Sequence, residues 1–511
     1  MTERSLRIGV DVGGTNTDAV AIDEADRVVA KAKRPTSPDV TEGLRAALDA
    51  VLAELPDPRL VTRVMLGTTH ATNAILERRA LGRVAVLRLG APATTSVPPL
   101  SEWPDDLRET VAAGTAMVRG GHFVDGREIA PLDLDAVKRF LSEATRADAV
   151  AITGVFSPAD ADHENRVAEV VRSELGDVPV SLSHEIGSLG LLERENATIL
   201  NAALYGVARD VTIALQNALS VRGLVVETFF AQNDGTLMSV DYAARYPVLT
   251  IGSGPANSLR GAAYLSGARD AIVADVGGTS TDIGVLANGF PRESAAAVEI
   301  GGITTNFRMP DILSIALGGG TIVGREPRSV GYRIGGEALV FGGRTPTMTD
   351  AAVAAGRGEV GTHPVPEEWL GHLAGAVRAA DELVADAVDR VSLGRGDRPL
   401  VAVGGGAFLL AAEVPGVGEV VRPEHAEVAN AVGAAIALAS GRIETIVPTG
   451  GEGNTRARLI EKAKEEAAAR AVAAGADPAL VQIVELSEIP LSYLSEPAVR
   501  LQVKAAGPLA R

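Results

Sequence analysis

Short apolar runs alternate along the chain with stretches in which apolar residues recur at helical spacing. The runs are rich in leucine and β-branched residues, and they predict strands at residues 6–10, 19–22, 83–89, 149–155, 178–183, 271–274, 283–286, 399–403, 481–486 and 498–503. Helical spacing predicts helices at residues 39–55, 72–80, 134–145, 161–175, 188–219, 367–393, 427–440 and 455–474. Because strands and helices alternate, we expect an α/β fold with a mixed or parallel sheet covered by helices.

One eight-residue segment occurs twice in the chain. DVGGTNTD at residues 11–18 and DVGGTSTD at residues 275–282 are identical at seven of eight positions, and each lies between two apolar runs. The wide separation of the copies indicates a duplicated domain rather than a short-period repeat protein. We therefore predict a first domain at residues 1–187 with an inserted α/β segment, and a second domain at residues 188–448. A small α+β segment at residues 449–511 would open with a linker at residues 450–454.

Each copy has the composition of a hairpin that holds an anion. Paired glycines let the backbone approach a phosphate closely, and successive amides form an anion-binding concavity. The candidate phosphate ligands are Gly13, Gly14, Thr15, Thr17, Gly277, Gly278 and Thr279. Asp11 and Asp275 occupy positions where a carboxylate would support a magnesium ion that bridges phosphates. Hairpins kept only for their turns would not explain why acidic and hydroxyl residues recur with the glycines.

Composition and charge exclude several classes of protein. The formal net charge of −17 opposes binding to nucleic acid or to an anionic membrane, so we expect neither as a partner. The absence of cysteine excludes disulfides, thiol nucleophiles and cysteine-ligated metal clusters, and it fits a reducing cytoplasm. Residues 1–10 show no targeting pattern, and no apolar window has the length of a membrane helix, so we expect a soluble cytoplasmic protein.

Two DxGGTxT hairpins in duplicated halves resemble the superfamily of actin, sugar kinases and heat-shock chaperones. Residues 252–258 resemble its first interface helix, residues 430–435 its second, and Gly404, Gly405 and Gly406 its adenosine loop. The resemblance implies duplicated ribonuclease-H-like, actin-like ATPase domains that face an ATP cleft, with ATP and Mg²⁺ as cofactors. An ATP-driven conformational protein of this superfamily is an alternative, although the chain lacks the cysteines of an iron–sulfur activator.

One family within this superfamily matches more closely. GTTHATNAILER at residues 67–78 resembles the signature of the hydantoinase A/5-oxoprolinase family, and it gives no support to a simple sugar or acetate kinase. The loop that contains Gly318 and Gly319, the segment TMTDA at residues 347–351, and Ser157-Pro158 with His163-Glu164 resemble further family patterns. The resemblance implies that Gly318 and Gly319 bind the nucleotide. The loop departs from the family at Leu313, where a histidine is usual.

This family resemblance implies an ATP-dependent hydrolase that opens a small cyclic amide, such as a hydantoin, 5-oxoproline or a related lactam. The reaction would pass through a phosphorylated carbonyl. The alternative is the nucleotide-binding subunit of an ATP-dependent ketone carboxylase. Family members often act with a second subunit, so we expect a homo- or hetero-oligomer and a possible second hydantoinase-type subunit.

Several side chains in these segments are candidate catalytic or structural residues. His70 is either a general base or a helix-start residue bonded to the backbone. Asn73 either orients a substrate carbonyl or caps and packs its helix. Asp18 and Asp282, which end the two hairpins, could contact a metal, orient attacking water or bond the backbone. For His163-Glu164, which precedes a predicted helix, we expect a capping role.

Overall fold

The structure is a computed structural model of the 511-residue chain. It describes residues 5–36, 40–144, 146–294, 297–324, 328–394, 396–448, 453–491 and 498–510. Three parts of the predicted elements lie outside these ranges: residue 39, the first of one predicted helix, residue 145, the last of another, and residues 450–452 of the predicted linker. None of the helices within them combines the length and apolar character that a membrane crossing requires.

The first repeat opens a mixed sheet. Its elements are β1 (Leu6–Val12), β2 (Asn16–Ile22), β3 (Val28–Pro35), α1 (Val40–Ala53), β4 (Val61–Thr68) and α2 (His70–Glu77). β1 and β2 form an antiparallel hairpin in which Asp11 pairs with Asp18, and β4 runs parallel to β1. Ile8 and Val10 are fully buried, as expected of a strand covered on both faces.

A separate α/β unit is inserted after α2. It comprises β5 (Val84–Ala91), α3 (Asp105–Val111), β6 (Ala112–Arg119), α4 (Leu134–Glu143), β7 (Ala149–Gly154), α5 (Asp162–Leu175), β8 (Val180–Leu182) and α6 (Ser183–Ile186). Its four strands are all parallel, in the order β6-β5-β7-β8. We call residues 84–186 the inserted unit.

The chain then returns to the first sheet through two helices. The elements are α7 (Leu191–Ala203), α8 (Tyr205–Ser220), β9 (Glu227–Ala231), β10 (Leu237–Ser239), α9 (Val240–Arg245) and α10 (Ser253–Ser266). The prediction of one continuous helix at residues 188–219 is wrong, because the helix is interrupted at Leu204. The carbonyl of Ala203 there accepts a hydrogen bond of 2.8 Å from the backbone N–H of Gly82 in the neighbouring segment.

The second repeat builds a sheet of the same design. Its elements are β11 (Ala271–Val276), β12 (Thr281–Ala287), β13 (Phe290–Pro291), β14 (Val298–Ile300), β15 (Ile303–Thr305), β16 (Ile312–Ile315), α11 (Ile334–Glu337), α12 (Met348–Ala354), α13 (Leu370–Ser392), β17 (Leu400–Val403), β18 (Val420–Val421) and α14 (Ala429–Ile436). β11 and β12 pair Asp275 with Asp282, and β17 runs parallel to β11 as β4 does to β1. The predicted duplication is therefore confirmed.

The last elements rejoin the first sheet. They are β19 (Ala439–Pro448), α15 (Gly453–Ala473), β20 (Gln482–Pro490) and β21 (Ala498–Gly507). The complete sheet has nine strands in the order β20-β21-β19-β10-β9-β4-β1-β2-β3. We call this sheet with its helices, including α14, the first lobe, and α10 together with residues 271–428 the second lobe.

The predicted domain bounds at residues 187/188 and 448/449 stay a prediction, and the sheets divide the chain differently. β9 and β10, which follow residue 188, and β20 and β21, which were predicted in the C-terminal α+β segment, are strands of the first lobe.

Two helices cross between the lobes, at the two segments that resemble interface helices. A Cβ atom at Gly261 of α10 would lie 1.8 Å from the carbonyl oxygen of Ala429, at the start of α14. A Cβ atom at Gly433 of α14 would lie 1.9 Å from the carbonyl oxygen of Asn257. The backbones of the two helices therefore touch at this crossing.

Candidate functional site

The two glycine hairpins face each other across a cleft of about 700 Å³. The turns close in the same way, with hydrogen bonds from Gly13 N–H to Asn16 O (3.0 Å) and from Gly277 N–H to Ser280 O (2.9 Å). A Cβ atom at Gly278 would lie 3.2 Å from Cγ2 of Thr15, so the hairpins come into close proximity. The predicted residues that line the cleft here are Gly13, Gly14, Thr15, Gly277, Gly278 and Thr279.

Glycine is used in these hairpins for space rather than for an unusual backbone angle. None of the four hairpin glycines has a positive φ. A Cβ atom at Gly14 would meet no atom within 4 Å and would project into open space. A ligand could therefore approach the backbone at Gly14 more closely than any side chain would allow.

The first aspartate of each repeat is buried and bound to the crossing helices. Asp11 accepts hydrogen bonds from Nδ2 of Asn257 (3.0 Å) and Nδ2 of Asn430 (3.1 Å). Asp275 accepts one from Oγ of Ser258 (2.5 Å). Burial raises the pKa of each aspartate to about 6. A cation bound nearby would therefore stabilise the charged form of both carboxyl groups.

The second aspartates differ from each other. Asp18 lines the cleft, lies 2.8 Å from Nζ of Lys33 and accepts a hydrogen bond of 2.9 Å from Nδ2 of Asn430. Asp282 is bound to Oγ of Ser314 at 2.5 Å and is not among the residues that line the described cleft. Burial raises the pKa of both carboxyl groups.

The second lobe contributes a glycine loop and apolar side chains. Gly404, Gly405 and Gly406 line the cleft directly after β17, as predicted. Gly404 has a φ of +85°, and its Cβ atom would lie 2.3 Å from Oδ1 of Asp275, so the loop lies tightly against β11. Apolar lining residues from this lobe are Ile334, Phe341, Val360 and Phe408.

Two predicted ligands lie behind the hairpins instead of in the cleft. Thr17 is fully buried, and its hydroxyl lies 3.3 Å from Oγ1 of Thr36. Gly318 packs under the second hairpin, where its Cβ atom would lie 2.5 Å from the backbone N of Thr279. Gly319 does line the cleft, and it braces the same hairpin by donating to the carbonyl of Gly277 at 3.0 Å.

Magnesium ligation by Asp11 and Asp275 stays a prediction. Within the described ranges, no group of three or more His, Asp or Glu residues is arranged to hold a metal ion. Mg²⁺ bound with phosphates needs only one or two carboxylates and keeps several waters, so a single cleft carboxylate is compatible with it. Asp275 and Asp18 line the cleft, whereas Asp11 is held behind them by two asparagines.

The two candidates of the GTTHATNAILER segment lie at the start of α2, away from the residues that line the cleft. The ring of His70 contacts the hydroxyl of Thr68 and borders a small apolar cavity beside α8. Asn73 donates a hydrogen bond of 3.4 Å to Oγ1 of Thr69, within its own helix start. Their catalytic roles stay predictions.

The capping role predicted for His163 and Glu164 is wrong. Both side chains are buried, and the residue before α5 is Ala161, which makes no side-chain cap. Nδ1 of His163 accepts a hydrogen bond of 3.0 Å from Gly121 N–H. The carboxylate of Glu164 faces into the inserted unit. It accepts hydrogen bonds from Gly154 N–H at the end of β7 and from Oγ of Ser183 at the start of α6.

Lys33 is a site residue that sequence reasoning missed. It lies on β3 directly opposite Asp18 of β2, and its Nζ also donates to the carbonyl of Glu427 at 3.0 Å. The signal was the strand pattern VVAKAKRP next to the hairpin, in which alternate lysines share one face.

Profiles of known families match most of this architecture. A profile described as the hydantoinase/oxoprolinase N-terminal region matches residues 7–175, and one described as hydantoinase/oxoprolinase matches residues 194–363. The chain belongs to the hydantoinase/oxoprolinase family. The resemblance predicted from its motifs is thereby confirmed.

Two curated relatives show how far the sequence similarity extends. The acetophenone carboxylase gamma subunit of Aromatoleum aromaticum is 29% identical over 314 residues, which cover 55% of this chain and 42% of the relative. The caprolactamase subunit alpha of Pseudomonas jessenii is 28% identical over 314 residues, which cover 55% of this chain and 44% of the relative. The matched stretch therefore spans less than half the length of either relative.

Two solved structures share the fold of this hydantoinase/oxoprolinase family member. The crystal structure of the ATP-dependent caprolactamase from Pseudomonas jessenii has a TM-score of 0.79 at 21% identity, over 99% of this chain and 88% of that chain. A nucleotide-free acetone carboxylase has a TM-score of 0.69 at 17% identity over the same shares. The predicted fold class is confirmed.

Proposed function

We propose that this protein binds Mg-ATP between its two hairpins and uses it to open a small cyclic amide by hydrolysis. The observation that carries the proposal is the facing pair of glycine hairpins, one from each lobe, at the two sides of a single cleft. A polyphosphate placed there would receive hydrogen bonds from backbone amides on both sides, in the kind of anion-binding concavity that successive N–H groups form. Membership of the hydantoinase/oxoprolinase family supports the choice of reaction.

Each part of the cleft would hold one part of the nucleotide. The phosphates would lie against the amides at Gly13–Thr15 and Gly277–Thr279, within reach of Lys33. The adenosine would lie on the loop Gly404–Gly406, where glycine allows contact with the backbone and Phe408 offers an aromatic face. Thr17 and Gly318 would support the hairpins from behind, without touching the ligand.

The charges of the cleft explain why the nucleotide would bring a metal. Three carboxyl groups, of Asp18, Asp275 and Glu427, line the described cleft, together with the ammonium of Lys33. A polyphosphate alone would be repelled by this excess of negative charge. Mg²⁺ supported by Asp275 or Asp18 would offset it and would stabilise charge on the transferred phosphoryl group.

The chemistry follows from the poor reactivity of an amide. Transfer of the γ-phosphoryl group to the carbonyl oxygen makes the carbon open to attack by water. Collapse of the adduct would break the ring C–N bond, with the nitrogen leaving as a protonated amine, and hydrolysis of the remaining acyl phosphate would release the carboxylate and inorganic phosphate. Closure of the lobes around the nucleotide would exclude bulk water until the amide is in place. The name of the relative from Pseudomonas jessenii, a caprolactamase subunit, supports a lactam or a related cyclic amide as substrate.

A second candidate is the nucleotide-binding subunit of an ATP-dependent ketone carboxylase. It is favoured by the relative from Aromatoleum aromaticum, which is named as a subunit of acetophenone carboxylase. Bicarbonate dependence separates the two reactions, because a carboxylase consumes bicarbonate and forms a carboxylated ketone.

A partner subunit belongs to the proposal. Both curated relatives are named as subunits, and the matched stretch covers less than half of each of them. The hydrolytic step would then use residues of a second hydantoinase-type subunit, in a homo- or hetero-oligomer.

The test is phosphate release by the purified chain with hydantoin, 5-oxoproline, ε-caprolactam or acetone, with and without bicarbonate and a candidate partner subunit. We expect a cyclic amide to raise phosphate release. We also expect Asp11→Ala and Asp275→Ala to weaken Mg-ATP binding at least about tenfold, the cost of one charge-assisted contact. Asp135→Ala, at an exposed position on α4, is the matched control. The proposal fails if no compound stimulates release and both variants bind Mg-ATP like the control.

A further inference from the structure

A second polar cavity lies beside the inserted unit, outside the cleft. It has a volume of about 130 Å³ and is bordered by α6, by the turn between β9 and β10, and by the start of β19. His184, Asn233, Tyr242 and Ser440 are among its lining residues. The volume is below the 300–1,000 Å³ of pockets for drug-sized ligands, so the cavity suits a molecule of few heavy atoms.

A buried carboxylate holds the histidine of this cavity. Oε2 of Glu164 lies 2.6 Å from Nδ1 of His184 and accepts a hydrogen bond of 3.1 Å from its backbone N–H. Oε1 accepts from Gly154 N–H (2.6 Å) and from Oγ of Ser183 (2.5 Å). Burial alone would raise the pKa of Glu164, but these hydrogen bonds outweigh burial and lower it. Glu164 is therefore an anion that accepts from every one of these neighbours.

This arrangement fixes the tautomer of the histidine. Because ionised Glu164 can only accept, Nδ1 of His184 carries the proton, so in the neutral tautomer of the ring Nε2 is the acceptor nitrogen. The side chain of His184 is 18% exposed, whereas that of Glu164 is 0% exposed. The ring therefore offers the cavity an acceptor nitrogen whose orientation is set from behind, the relation found in general-base pairs.

The charges around the cavity favour a neutral ligand. Three acidic and three arginine side chains line it. Each has an oppositely charged neighbour within 4 Å: Arg442 with Glu293, Arg308 with Glu293, Arg470 with Glu466, Asp234 with Lys504, Glu444 with Arg500, and Glu185 with Arg245. A charged ligand would have to break one of these pairs, whereas a neutral polar molecule would only need hydrogen bonds.

The cavity is placed at the same edge of the first sheet as the phosphate hairpin. β1, β4 and β9 are parallel neighbours, so their carboxyl ends share one edge. The turn after β9 is two strand positions from the hairpin, a separation of roughly 10 Å. Oδ1 of Asn233 in that turn also accepts a hydrogen bond of 2.8 Å from Gly252 N–H, just before α10. Helix α10 thus runs from the cavity to the buried aspartates of the cleft.

We infer that this cavity binds the cyclic amide, with the ring N–H of the ligand donating a hydrogen bond to Nε2 of His184. The inference rests on the proposed function, whose substrate it places. His184 is the binding residue, and Glu164 is a positioning residue that keeps Nε2 as an acceptor. A compound that carries a methyl group on the ring nitrogen has no proton to donate and would also collide with the imidazole.

The first test compares matched ligand pairs on the wild-type protein by calorimetry. The probes are the neutral compounds hydantoin and ε-caprolactam, against 1,3-dimethylhydantoin and N-methylcaprolactam, in the presence of Mg-ADP. We expect at least one N–H compound to bind about tenfold or more tightly than its methylated form, the cost of one unmade buried hydrogen bond. Equal affinity within every pair, or no binding by any probe, would overturn the inference.

The second test uses variants with a matched control. His184→Phe keeps the ring shape without an acceptor and should lose the preference for N–H compounds while Mg-ATP affinity stays within about twofold. His372→Phe, at an exposed position on α13, should retain the preference. Glu164→Gln should move the ¹⁵N shifts of the His184 ring and weaken the preference, and a purely structural role for Glu164 would leave those shifts in place.

Separate readouts distinguish the two proposals. If cyclic amides stimulate phosphate release but His184→Phe retains the N–H preference, the proposed function stands and the inference about this cavity fails. If the N–H preference depends on His184 but no amide stimulates phosphate release, the cavity binds amides and the proposed reaction fails.

Discussion

Two glycines that line the same cleft have different roles. Gly14 faces open space, whereas Gly404 has a left-handed φ and no room for a Cβ atom beside Asp275. The motif alone could not separate these roles, because both sequences read as glycine-rich loops after a strand.

Gly14→Ala should weaken nucleotide binding without weakening the fold. The new methyl group meets no protein atom within 4 Å, and the backbone angle at this position suits alanine, so the thermal midpoint should stay unchanged. It would occupy the space of a phosphate, and Mg-ATP affinity should fall by about tenfold or more, measured by calorimetry. Gly404→Ala is the contrasting variant and should lower the midpoint. Unchanged affinity in Gly14→Ala would show that the phosphates do not bind at this hairpin.

Asp275→Asn should change how stability depends on pH. The pKa of Asp275 is about 6 in the folded protein against 3.8 as its ordinary value, so its contribution to stability is present below pH 4 and is lost as the pH rises through 6. The neutral amide removes this loss and can still accept from Ser258. Without nucleotide and metal, the variant should equal wild type near pH 4 and be more stable at pH 8 by roughly 1–3 kcal/mol.

Thermal midpoints of both proteins at pH 4.5, 6 and 8 test this expectation. A difference that does not vary with pH would show that Asp275 does not titrate in this range. Mg-ATP affinity of the variant should fall at the same time, because the carboxylate would no longer support the metal.

At the scale of single residues, the sequence predicted the hairpin ligands but not their neighbours. The repeat revealed Gly13, Gly14, Gly277 and Gly278, since duplication separates a functional pattern from a chance turn. Lys33 reaches the cleft because β3 pairs with β2 opposite Asp18; the alternating lysines of β3 mark one face of the strand but do not show that this face meets the cleft. Glu164 was misassigned because its partners come from β7 and α6, far from its own helix start.

The crossing of α10 and α14 is the main contact between elements of the two lobes. α10 packs against the core of the second lobe, and α14 packs against Val20 and Ile22 of β2 in the first. Asn257 and Ser258, adjacent on α10, bind the buried aspartates of different hairpins. A movement of α10 would therefore change the hydrogen bonds of both aspartates.

Gly433→Ala should destabilise the protein through this crossing. The added methyl group would lie 1.9 Å from the carbonyl oxygen of Asn257, so the helices must separate, at a cost of about 1–3 kcal/mol or more. Gly254→Ala, on the partner helix α10 and with no atom within 4 Å of the added Cβ atom, should be neutral or slightly stabilising. Thermal unfolding of both variants measures the difference, and equal midpoints would contradict a tight crossing.

At the scale of elements, the periodicity predicted the positions of helices and strands well, but it did not predict where a helix is interrupted or which strands pair. α13 and α5 lie close to their predicted bounds because their apolar faces are regular. The periodicity did not show the interruption at Leu204, where the carbonyl of Ala203 accepts a hydrogen bond from Gly82, more than a hundred residues away. The return of β20 and β21 to the first sheet is likewise a long-range pairing.

For the whole molecule, the two lobes present equivalent edges to one cleft. A ligand that touches both edges gains from each only when the lobes are close together, so binding and closure should be coupled. The ion pair between Lys31 and Glu427, at 2.5 Å, and the contact of Lys33 with Glu427 already connect the lobes without ligand.

Mg-ATP should therefore protect both hairpins at once. At a concentration of 100 times Kd it should stabilise the protein by about 2.7 kcal/mol. Hydrogen exchange should slow at residues 11–18 and at residues 275–282, while the exposed edge strand β20 serves as an internal control. Protection of one hairpin alone would mean that the nucleotide does not bridge the lobes.

The order of strands in the first sheet has a consequence for synthesis on the ribosome. Residues 271–421 are contiguous and contain a complete sheet, so this part can fold as soon as it emerges. β10 must wait for β19, about two hundred residues later, which at 5–20 residues per second is a delay of roughly 10–40 s. During that interval one side of β10 is an unpaired edge, the kind of surface that chaperones shield. The part of the chain made first is thus completed last.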